Sequence, residues 1–99
     1  MTSMIEASAE APTVAALAAE WERRVALIDD EAVSNDEVPE HADHMWAAFD
    51  RLRVTPSASL KDVVRKHEII ARLQSRGYED EALELVDSAF HDLRRLSAG

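Results

Sequence analysis

The residues with the best spacing for metal chemistry are His41 and His44, three apart, with Glu37 and Glu40 within one turn of them. Imidazole and carboxylate at helical spacing can converge on a divalent cation such as zinc, so this group is a candidate for weak metal binding. The established metal patterns are missing. His67-Glu68 begins like a zinc-protease helix, but Ala71 stands where the second histidine belongs. The Glu-x-x-His pairs of di-iron bundles are absent too, because Glu40 and Asp43 follow Glu37 and Glu40 by three. The plainer reading makes these polar residues a solvated helix start. His67 falls within the apolar face of its own helix, as an edge histidine bonded to a backbone carbonyl or as part of a small polar pocket. His91 lies on a polar face, four residues from Asp87 and Arg95.

Nucleophilic chemistry has less support. No serine stands in a Gly-x-Ser-x-Gly turn. With glycine only at 77 and 99, no glycine-rich phosphate loop can form. There is no cysteine, which removes disulfides, thiolate metal sites and thiol nucleophiles. These absences set the expectation of a non-enzymatic protein that takes no cofactor.

Charge is the stronger signal. The net of −9 argues against direct nucleic-acid binding over the whole surface. It is unevenly distributed. Residues 1–50 carry −10, residues 51–76 carry +5, and residues 77–99 carry −4. The acids Asp29, Asp30, Glu31, Asp36, Glu37 and Glu40 crowd around one predicted loop, a surface able to dock on a basic protein partner or simply a solubilising one. Lys61, Arg65, Arg72 and Arg76 form a basic stripe. It suits a nucleic-acid contact, or acids elsewhere in the chain or on a second subunit of a homodimer.

The elements that must carry these residues are helices. Hydrophobic residues make up 46% of the chain but aromatics only 5%, and alanine and leucine abound. Pro12 suits a first helical turn, and Val14, Leu17, Ala18, Trp21, Val25, Ile28 and Ala32 then share a face, predicting a helix over 12–33. Val38, Ala42, Met45, Phe49 and Leu52, with Trp46 at the edge, predict one over 37–53. Ser59 and Asp62 imitate a capping box before a helix over 59–76, whose wide arc takes in Leu60, Val63, Val64, His67, Ile69, Ile70, Ala71 and Leu73. Gly77 is the expected left-handed stop. Ala82, Leu85, Val86, Ala89, Phe90, Leu93 and Leu96 predict a last helix over 79–96.

The expected fold is therefore all-α, a four-helix antiparallel bundle or two packed helical hairpins. It occupies a single domain over 12–99, after a disordered tail at 1–11. No signal peptide or membrane span is evident, which favours a soluble cytoplasmic protein.

Two resemblances add to this reading. Gly77-Tyr78-Glu79-Asp80-Glu81-Ala82-Leu83, followed by Ala89, resembles the turn and second helix of a tetratricopeptide-repeat hairpin, without a second copy of the period. More broadly, the Trp-bearing acidic hairpin followed by Thr55-Pro56-Ser57-Ala58-Ser59-Leu60-Lys61-Asp62-Val63 resembles small uncharacterised helical proteins of alphaproteobacteria and their prophages. That likeness implies a helical accessory protein and transfers no functional residue. The resulting expectation is a protein-binding accessory or inhibitory module, of a phage or other mobile element, acting through its acidic surface or an apolar helix face. The alternative is a structural homo-oligomer joined through complementary acidic and basic helices.

Overall fold

The computed structural model describes residues 12–98, so the tail expected at 1–11 lies outside the described residues. Four helices follow one another: α1 (Val14–Asp29), α2 (Val38–Val54), α3 (Leu60–Ser75) and α4 (Glu79–Ala98). α1 packs along α2 and α3 along α4, as two hairpins. These join through α1 against α3 and α2 against α4. No described helix is long and apolar enough to cross a membrane.

Local chemistry sets the helix ends. Thr13, rather than Pro12, opens α1: it is extended, and its Oγ1 accepts the Ala16 N–H at 3.1 Å. α1 stops at Asp29, four residues short of the predicted 33, although Ala32 continues the apolar period. Asp30 is extended, its Oδ1 accepts the Ala32 N–H at 2.9 Å, and Ser34 Oγ accepts the Asp36 N–H at 3.1 Å. Short polar side chains thus offer the backbone a turn in place of a helix. The capping box at Ser59 forms only in part. The Ser59 side chain makes no cap bond, while Asp62 Oδ2 accepts the Ala58 N–H at 2.8 Å. Gly77, at φ +86°, closes α3 in a Schellman motif: its N–H donates to Gln74 O at 3.1 Å and the Tyr78 N–H to Leu73 O at 2.9 Å.

The core takes Val14, Leu17, Ala18, Trp21 and Val25 from α1, and Met45, Ala48, Phe49 and Leu52 from α2. Trp46 closes one end, edge-on to Phe49 at 5.7 Å and to Tyr78 at 5.0 Å. The second hairpin departs from its predicted stripe. α3 buries Val63, Ile69, Ile70 and Leu73 but leaves Leu60 and Val64 exposed. α4 buries Ala82, Leu85 and Ala89 but leaves Val86, Phe90 and Leu93 at least partly open. The inward face of α4 is rotated toward a charged residue, Asp92, and α3 turns Lys66 inward to meet it.

Candidate functional site

Three of the four stripe residues face α1. The Arg65 guanidinium forks onto the Glu22 carboxylate, with Nη1 3.1 Å from Oε2, and also reaches Glu68 at 2.9 Å. Arg76 forks onto Asp29 at 2.8 and 3.1 Å. Arg72 stands 3.9 Å from Glu22 and lies over the Trp21 ring at 6.0 Å. The Arg65 hydrogen bond holds Glu22 below its usual carboxylate range, and Arg76 does the same to Asp29. Both guanidiniums are pushed up in return. Lys61 is exposed and makes no ion pair among the described residues. The stripe therefore joins the two hairpins within one chain.

The acids around the α1–α2 turn divide accordingly. Asp29 belongs to the Arg76 pair. Asp30, Glu31, Asp36, Glu37 and Asp43 are exposed with no ion pair among the described residues, and Glu40 has only the His44 ring at 3.9 Å. Glu37 occupies the N-cap position of α2, with Pro39 just inside, so its charge sits where the helix dipole favours an anion.

The metal candidate does not assemble in this arrangement. His41 Nδ1 meets Arg24 Nη1 at 2.8 Å, and because a guanidinium only donates, that ring nitrogen accepts. Arg24 in turn donates to Glu20 at 2.8 Å and lowers its pKa. A cation at His41 Nδ1 would have to displace the arginine. Among the described residues no three His, Asp or Glu side chains gather as metal ligands. His67 and His91 each turn Nδ1 onto the carbonyl one turn earlier, Val63 O at 3.0 Å and Asp87 O at 2.9 Å.

The best-constructed polar cluster is one that sequence reasoning passed over. Lys66 is fully buried, and its Nζ donates to Asp92 Oδ2 at 2.7 Å, Ser88 Oγ at 2.8 Å and Thr55 O at 2.8 Å. Ser57 Oγ donates to the same Asp92 oxygen at 2.6 Å, and Ser88 Oγ donates onward to Arg53 O at 2.7 Å. Burial pushes the Asp92 carboxyl up, but the bonds from Lys66 and Ser57 together outweigh it and hold the group below its usual range. A signal was present in the sequence: Lys66 follows Val63 by three and precedes Ile70 by four, and Asp92 follows Ala89 by three.

Thr55, Ser88 and Asp92 of the cluster line an open cleft of about 540 Å³ together with Arg53, Glu84, His91 and Arg95. A serine beside a lysine suggests a nucleophile and its base. Here, however, all three ammonium protons are directed at acceptors, and the Ser88 hydroxyl proton points to a carbonyl. The bonds tie Lys66 of α3 and the turn after α2 to α4, as a latch across three elements.

No protein-family model, curated protein or solved structure matches the chain.

Proposed function

We propose that the chain is a non-enzymatic protein-binding module, an accessory or inhibitory factor of a phage or mobile element, that docks its acidic α1–α2 end on a basic surface of a larger partner. One observation carries this reading. Arg65 and Arg72 of α3 and Arg76 at its C-cap are matched internally to Glu22 and Asp29, whereas Asp30, Glu31, Asp36 and Glu37 are exposed at one turn with no ion pair among the described residues. A concentrated field of one sign raises association rates about 10- to 1000-fold and loses that effect as salt rises. The same pairing weighs against a homo-oligomer built from acidic and basic helices, since the basic half of that interface is engaged within the monomer.

The test is recovery of partners from host extract at low and high salt. Parent chain is compared with a Glu31→Lys, Asp36→Lys, Glu37→Lys variant, which leaves the Asp29–Arg76 pair and the Asp30 turn bond untouched. A partner held by the parent at low salt and lost by the variant supports the proposal. No partner at low salt, or identical recovery by both proteins, refutes it.

A further inference from the structure

We infer that the outer face of the α3–α4 hairpin is covered by a second copy of this chain, with the two α4 helices antiparallel across a two-fold axis. α4 carries two adjacent apolar seams. One, through Ala82, Leu85 and Ala89, fills the core. The other is displaced from it by one residue: Leu83, Val86, Phe90 and Leu93, spaced three, four and three apart. This is the a/d spacing of a helix that packs along another helix. Here it faces away from the rest of the chain, with Leu83 64% and Phe90 54% exposed. Leu60 and Val64, at 61% and 58%, extend the face onto α3. They lie on the side of α3 opposed neither to α1, which meets Arg65 and Arg76, nor to α4, which meets Lys66. An apolar surface running over two neighbouring helices marks an interaction site.

The charges beside the seam select the occupant. Asp87 and Arg94 border it on one flank, seven residues apart, both in the e register when Leu83 and Phe90 are taken as a. Antiparallel helices bring e positions against e positions. A two-fold axis between Phe90 and His91 therefore sets Asp87 of each copy opposite Arg94 of the other, forming two ion pairs around a central Phe90 pair. A parallel pairing would set the same residues against the small Ala82 and Ala89 and match no charge. Arg94 already lies over Phe90 at 5.8 Å and has only to extend across the seam. Among the described residues Asp87 has only the His91 ring, at 3.7 Å, within ion-pair distance in its own chain. The apolar seam thus carries its own complement, which an interface between identical copies requires.

Sedimentation equilibrium of the full chain over a concentration series tests this. The parent is expected to pass from monomer to dimer and no further. Phe90→Glu, a change at an exposed position, should give a monomer with unchanged circular dichroism. Asp87→Arg and Arg94→Asp should each raise the dissociation constant about tenfold or more by setting like charges opposite each other, and the double exchange should restore it. A parent still monomeric at ~1 mM overturns the inference, whatever else covers the face. So does a dimer indifferent to Phe90→Glu, or a double exchange no better than the singles.

Discussion

Replacing Lys66 by methionine keeps most of the side-chain volume but removes the ammonium from a site where it is fully buried. The Asp92 carboxylate, 8% exposed, then keeps the Ser57 hydroxyl at 2.6 Å and, among the described residues, Arg95 at 3.5 Å as its remaining cation. Breaking one side of a buried ion pair typically costs about 3–5 kcal/mol. Arg95 places this case toward the lower end, and the donors lost to Thr55 O and Ser88 Oγ fall within that range. A net loss of about 3–4 kcal/mol follows, against a total stability of about 5–10 kcal/mol for a domain of this size. The melting temperature should fall by at least ~12 °C. Urea unfolding followed by the fluorescence of buried Trp21 and half-buried Trp46 gives the free energy directly. Lys66→Met combined with Asp92→Leu should cost clearly less than the two single changes added together, with a coupling of about 2 kcal/mol or more. Lys61→Met, at an exposed position, should stay within about 0.5 kcal/mol of the parent. A Lys66→Met protein melting within about 4 °C of the parent, or single changes that simply add, would refute the latch.

Three further outcomes follow from other contacts. Glu22→Gln should cost about 0.5–1 kcal/mol in urea denaturation at low salt, and the loss should shrink in ~1 M salt, because its pair with Arg65 is partly solvated. Glu22, Asp29 and Asp92 have folded-state pKa values below their ordinary 4.5, 3.8 and 3.8, so their contribution is complete above those values and lost as pH falls through the folded ones. Melting temperature should therefore be nearly flat from about pH 7 to 5 and then drop steadily, and Asp92→Asn should start lower and drop less. Gly77→Ala should cost about 1–2 kcal/mol in thermal melts, all of it from the left-handed backbone, since an added Cβ meets nothing within 4 Å.

The parts of the fold that depend on neighbouring residues were legible. The Gly77 stop, the α1 face through Trp21 and the α2 face through Phe49 each depend on one turn of sequence, and each stands where periodicity placed it. The end of α1 was missed because Ile28 and Ala32 prolong the apolar period while the Asp30 and Ser34 side chains take the backbone bonds instead. The second hairpin was misjudged for a different reason. On α4 the seam through Leu83 is the more apolar of the two, so the helical period alone cannot place Ala82, Leu85, Ala89 and Asp92 inward. That choice belongs to the register with α3, where Lys66 and Asp92, 26 residues apart, must meet. Reading charge as solvent exposure hid both residues. It also left the acidic turn as a cluster, without showing that Asp29 belongs to Arg76 while Asp30 and Glu31 make no ion pair among the described residues.

The burial of Lys66 also has a chemical consequence. The chain has only two lysines, Lys61 on an exposed turn and Lys66 with every ammonium proton bonded. An amine-acylating reagent should modify Lys61 as fast as a free side chain, and Lys66 only at the rate at which α3 opens away from α4 and the end of α2. One chain thus carries a reporter and its internal standard five residues apart, and the ratio of the two modifications, read by mass, would measure how often the folded protein opens.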